Sequence, residues 1–134
     1  MFGALDVSVS GLVAQRTRMD AISANLAGKD AIVDENGENH PFKRRVPIFE
    51  VGDPGHGREM GVHVREILQQ PAFKRVYDPK HPLADKRTGT YLAPDINVAM
   101  EMVSALEAAR AYEANITVVE ATKSMMNTSL RLLA

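Results

Sequence analysis

The 134-residue chain has no cysteine and no tryptophan, and Phe and Tyr together make up only 5% of it. Without cysteine there is no disulfide, no thiolate catalysis and no Cys-based metal site. Without bulky aromatics the apolar material is largely Ala, Val, Leu and Met, which suits helix seams better than one thick core. Charge of one sign is also lacking: 16 Lys and Arg against 17 Asp and Glu leave a formal net charge of −1. No global field draws nucleic acid or an anionic membrane. The basic triplet Lys43-Arg44-Arg45 is local, has acidic neighbours on both sides, and reads as a solvated strand face. No apolar run approaches the ~18 residues of a membrane span. Nor does a basic segment followed by an apolar stretch open the chain, so no cleaved secretory signal is expected.

Two long periodic segments are present. From Asn97 to Ala134 no Pro or Gly interrupts the chain. Val98, Ala105, Tyr112, Val119, Met126 and Leu133 recur every seven residues, beside a second row at Met102, Ala109, Ile116 and Leu130. Two rows offset by four residues make one helical stripe. At ~1.5 Å per residue such a helix spans roughly 50 Å, longer than the ~36 Å diameter expected of a compact domain of this size. Its stripe therefore needs a partner. Near the other end, Leu5, Leu12, Met19 and Leu26 repeat at the same spacing, with Val9 and Ile22 on their side. Arg16 interrupts this seam and Lys123 the other, as long side chains that leave the stripe or meet Asp20, Glu113 or Glu120.

The expected architecture is mainly α with a small β insert. A helix over 1–28 and a helix over 97–134 pair as an antiparallel coiled coil, and 29–96 forms a β-rich insert with loops. Gly28 stands where a left-handed C-cap is needed, Asn36-Gly37 is a hairpin signal, and Asp95 or Asn97 caps the last helix. Strands are expected over 42–51, with Pro47 marking an edge, over 62–68 and over 73–77. Residues 52–61 read as a glycine-rich loop, and Asp78 to Asp85 as proline-punctuated turns.

No catalytic constellation emerges. His40, His56, His63 and His81 lack metal-ligand spacing. Asp78 and Asp85 around His81 can be drawn as an acid/base pair, but carboxylates in such turns more simply cap backbone amides. No enzyme activity, cofactor or metal is expected. What remains is association: sustained heptads gain their stability from burial against partners, so the helix ends are expected to order fully on assembly.

The terminal segments resemble the rod proteins of the bacterial flagellar basal body. Ser10-Gly11-Leu12-Val13-Ala14-Gln15, Arg18 and Ser23-Ala24-Asn25-Leu26-Ala27 are similar to the family's N-terminal signature. Pro82-Leu83-Ala84-Asp85, Pro94-Asp95-Ile96-Asn97-Val98 and Glu101-Met102-Val103 resemble the approach to its last helix. Ala109-Arg110-Ala111-Tyr112-Glu113-Ala114-Asn115 and Lys123-Ser124-Met125-Met126 resemble its C-terminal motif. One departure is Gly28-Lys29-Asp30, where the family usually continues with Asn. The short insert favours the proximal rod over the longer distal-rod and hook proteins.

The resemblance implies a structural subunit that self-assembles through its terminal helices into a tubular drive shaft transmitting torque for motility. Its partners would be other rod subunits, copies of itself and the flagellar type III export apparatus. It would reside in the periplasmic rod, exported without a cleaved signal peptide, with no nucleic acid and no membrane span. The residues expected at the assembly interface are Leu5, Leu12, Met19, Ile22, Asn25, Leu26, Met102, Ala109, Tyr112, Asn115, Ile116, Val119, Met126 and Leu130. Two other classes remain open at this point: a subunit of a different helical tube or secretion assembly, and a small enzyme or ligand-binding module using Asp78, His81 and Asp85.

Overall fold

The computed structural model describes residues 2–53 and 58–133. Residues 54–57, which include His56 and the middle of the expected loop, lie outside the described residues, as does Ala134, the expected end of the second helix. The order of elements is α1 (Phe2–Gly28), β1 (Arg44–Asp53), β2 (Arg58–Gln70), β3 (Phe73–Tyr77), β4 (Thr90–Pro94) and α2 (Val98–Leu133). The chain is two helices with a small antiparallel β region between them.

α2 starts where the sequence places a cap. Asn97 Oδ1 accepts the Met100 amide at 3.2 Å, satisfying one of the free donors of the first turn. α1 ends for a different reason from the one expected. Gly28 does not adopt a positive φ, a backbone found only at Gly37, Gly52, Gly61 and Gly89 among the described residues. Instead the Phe42 ring lies against its Cα, in the space a Cβ would need. The requirement at Gly28 is steric. Gly28→Ala should therefore push the Phe42 ring off α1 and lower the melting temperature by several degrees. A melting temperature equal to the parent's would show that the ring moves aside freely.

The β region consists of two separate two-stranded sheets. β1 and β2 form a long hairpin that runs well into the segment read as a loop, to Asp53 and back from Arg58. Register shifts at Ile48/Phe49 and Val51/Asp53 absorb the irregularity, and Gly52 and Gly61 take positive φ values of 88° and 104° that other residues avoid. Pro47 faces Ile67 in a sheet of only two strands, where both strands are edges and a missing amide is tolerated. β4 is an addition to the sequence reading. It pairs with β3 from Phe73↔Pro94 to Tyr77↔Thr90, so Pro94 sits at the very end of the ladder.

Asn36-Gly37 forms a turn closed by side chains. Asp34 Oδ1 accepts the amides of Asn36 and Glu38, both at 2.9 Å, and Val33 bridges Asn39. The Glu38 amide above all, then the Asn36 amide and the charge of His40, hold the Asp34 carboxyl below its ordinary value against the opposing effect of desolvation.

α1 lies between α2 on one side and the β1–β2 hairpin on the other. Contacts climb α1 as they descend α2: Gly11 against Asn115, Arg18 against Glu107, Asn25 against Glu101. The two helices therefore run antiparallel. In that register Phe2 falls opposite about Ser124, and roughly the last two turns of α2 extend past α1. Ala14, Ala21, Ile22 and Ala108 are buried between the elements. These small side chains let the backbones approach closely, and at Gly11 a Cβ would already lie 2.9 Å from the Asn115 amide nitrogen.

Candidate assembly surface

The interior joint between helices and insert is polar. Glu101 and Asn25 are each only 1% exposed. Glu101 accepts from Arg44 Nε at 2.7 Å with one carboxylate oxygen and from Asn25 Nδ2 at 3.1 Å with the other. The Asn25 amide also bonds both backbone groups of Arg45, accepting its N–H at 2.7 Å and donating to its carbonyl at 2.9 Å. Arg44 reaches on to Gln70 at 3.2 Å. Four elements (α1, β1, β2 and α2) meet at this network. A charge buried so fully is tolerable because its oxygens have charged and polar donors.

Two of these residues escaped the sequence reading as parts of a site. Arg44 sits in the triplet taken for a solvated face, yet its guanidinium turns inward to Glu101. Glu101 shares a heptad row with Ala108, Asn115 and Thr122, a row without large apolar residues and so without a hydrophobic signal.

That row decides which way α2 faces. Glu101, Ala108 and Thr122 are buried, Asn115 is half-buried, and Val98, Ala105, Tyr112, Val119 and Met126 are half-buried beside them. Both rows look toward α1. The row of Met102, Ala109, Ile116 and Leu130 turns away: Met102 is 59% exposed, Ile116 37% and Leu130 65%, with Ala109 at the margin. Leu106 and Met125 are exposed as well. On α1, Ile22 and Asn25 are buried, and Leu5, Leu12, Met19 and Leu26 are half-buried. The fourteen residues expected at the interface thus divide into an inner set packed within the chain and an outer set, led by Met102, Ile116 and Leu130, open to solvent. Arg16 and Lys123, the interruptions of the two seams, are both exposed.

The segment weighed as a catalytic site is built of local caps. Asp78 Oδ1 accepts the Lys80 amide at 3.1 Å and Asp85 Oδ1 the Arg87 amide at 2.8 Å. His81 Nδ1 accepts the Leu83 amide at 3.2 Å while its ring stacks on Tyr91 at 4.2 Å. All three polar groups are spent on holding turns. Asp34, Glu38 and His40 come together on the exposed turn, with His40 Nδ1 3.2 Å from Asp34. There Asp34 already serves two amides. Among the described residues no helix is long and apolar enough to cross a membrane.

Known proteins match both ends of the chain and nearly its whole length. Residues 5–27 match the family described as "Flagella basal body rod protein". Residues 89–132 match "Flagellar basal body rod FlgEFG protein C-terminal". The flagellar basal-body rod protein FlgC of Aquifex aeolicus is 42% identical over 129 residues, covering 93% of this chain and 91% of that protein. FlgC of Salmonella typhimurium is 35% identical, covering 95% and 93%, and that of Borreliella burgdorferi 34%, covering 99% and 97%. A match of this identity and extent, with the antiparallel terminal helices of the fold, leads to one conclusion: the chain belongs to the flagellar basal-body rod protein FlgC family, whose members are structural rod subunits and not enzymes.

Proposed function

We propose that this rod subunit works in the proximal segment of the rod, where copies and sister rod proteins stack into a tube that carries motor torque outward. The observation that carries this reading is the outer row of α2. A helix with Met102, Leu106, Ile116 and Leu130 open to water has an apolar face that its own chain leaves uncovered. Neighbouring rod subunits would cover it, with α1 and α2 winding into an antiparallel coiled coil within the tube and the β insert making the outer contacts. The part of α2 beyond α1, with Met125, Leu130 and Leu132 exposed, would lie against the next subunit along the axis.

As part of this proposal, the chain leaves the cytoplasm through the flagellar type III export apparatus without cleavage and polymerises in the periplasm. The test is complementation of a strain lacking the subunit with Met102→Asp or Leu130→Asp. Both positions are exposed, so the chain should still fold, while a carboxylate placed in a subunit contact would cost several kcal/mol. Basal bodies seen by electron microscopy should stop before the rod, and swimming should be lost. Rods of parental length in both variants would overturn the assignment of this face.

A further inference from the structure

In the β3–β4 hairpin the outer edge of β4 is blocked at its centre, and the outer edge of β3 is open. In this ladder the carbonyl of Ala72 accepts Asp95 N–H at 2.8 Å and that of Gly89 accepts Asp78 N–H at 3.0 Å. The inward-facing residues are therefore the even ones of β3, Lys74 and Val76, opposite Ala93 and Tyr91. The groups of Thr90, Leu92 and Pro94 face out from β4, and the Thr90 carbonyl and both groups of Leu92 are bonded. Thr90 O accepts the Asp85 amide at 3.0 Å. Leu92 is bonded at both groups by one side chain: Asn39 Oδ1 accepts its N–H at 3.2 Å, and Asn39 Nδ2 donates to its carbonyl at 3.1 Å. Pro94 has no N–H. Asn25 does the same to Arg45 on β1. An asparagine amide standing in for a neighbouring strand is an edge guard.

The outer edge of β3 has no such guard. The amides and carbonyls of Phe73, Arg75 and Tyr77 point away from β4 and have no backbone or side-chain partner among the described residues. The same hairpin is strongly cationic. Lys74, Arg75, Lys80, Lys86 and Arg87 stand against only Asp78 and Asp85, both occupied as caps. On the face that Arg75 shares with Leu92 and Thr90 there is a cleft of about 410 Å³ that extends toward the β4 edge, where Asn39, Asp85, Arg87 and Thr88 also line it. Neither guanidinium has an ion-pair partner among the described residues.

We propose that the outer edge of β3 is a strand-addition site for an extended acidic segment of a neighbouring protein chain, whose carboxylates meet Arg75. Three residues offer a main-chain ladder in the manner of strand augmentation, and the cations select the charge of the incoming strand. A second copy's β3 is disfavoured by the same logic: laid antiparallel in the centred register it would set Arg75 directly opposite Arg75, and in a shifted one it would still bring a cationic strand to a cationic edge. The inference rests on the rod reading only for the source of the partner, and its test uses no rods.

The probe is a seven-residue capped peptide alternating Val and Glu, titrated onto the isotope-labelled full-length chain and followed by NMR. The amide signals of Phe73, Arg75 and Tyr77 should shift and their exchange should slow, with β1 and β2 unaffected. A Val/Lys peptide should leave them unchanged. Arg75→Pro removes the outward donor and one cation but none of the hydrogen bonds within the hairpin. It should weaken binding at least about tenfold while leaving the other amide signals in place. Arg75→Glu should reverse the preference toward the Val/Lys peptide. Absence of any shift with the Val/Glu peptide overturns the proposal. Equal binding by the same peptide N-methylated at alternate residues also overturns it, since that would be ion pairing without a strand.

Discussion

Asn25→Leu is expected to lower the unfolding free energy of the chain by about 3 kcal/mol, although leucine has the same branched skeleton and suits a helix. The loss comes from what is left behind. Arg45 loses the partner of both its backbone groups, and Glu101, 1% exposed, keeps only Arg44. Each stranded group costs about 1–3 kcal/mol when water cannot reach it, and partial access at exposed Arg45 holds the total below the sum. Urea unfolding should show a lower midpoint with an unchanged slope. Asn25→Asp should be worse at neutral pH, because it places a second carboxylate beside that of Glu101, and should recover partly in acid as the pair takes up a proton. A midpoint for Asn25→Leu within error of the parent's would mean that the network does not persist in solution. Under the structural reading Asn25 is thus a joint within the subunit, whatever it also contributes to assembly.

The sequence announces the large elements because their signals are local. An unbroken apolar period with Asn97 ahead of it is enough to place α2 within a residue, and the Leu5-to-Leu26 repeat is enough for α1. The direction in which α2 turns is not local information. Counting apolar residues favours the row of Met102, Ile116 and Leu130. The backbone of α1 comes too close at Gly11, Ala14 and Ala21 to admit such bulk, and takes Ala108, Asn115 and Thr122 instead. A row of small and polar residues gives no hydrophobic signal, so its role depends on the facing helix. Glu101 and Arg44 escape notice likewise: each looks like an ordinary surface charge until the fold brings them to 2.7 Å. β4 is obscured by its proline, harmless only because the ladder ends there. For the fourteen residues expected at the interface, the division into inner and outer sets is a property of the packed helices.

That division gives two neighbouring positions opposite fates. Val119 is half-buried and turned toward α1, whereas Ile116, three residues earlier, is 37% exposed on the outer row. Val119→Asp should destabilise the isolated chain by about 3 kcal/mol, since the carboxylate enters an apolar seam without a donor. Ile116→Asp should stay within about 0.5 kcal/mol of the parent, as surface substitutions do. It gains a few tenths of repulsion from Glu113 and Glu120, one turn away on either side. Ile116→Lys reverses even that small term, placing a cation between the two glutamates while still putting a charge on the outer face. Thermal unfolding of purified chains should therefore single out Val119→Asp, and electron microscopy of basal bodies should find both Ile116 variants unable to complete a rod despite a parental melting curve. If Ile116→Lys builds normal rods, the outer row is not a subunit contact. If Ile116→Asp melts as early as Val119→Asp, the inner and outer rows are wrongly divided, and α2 is turned on α1 by about a sixth of a revolution from the arrangement described.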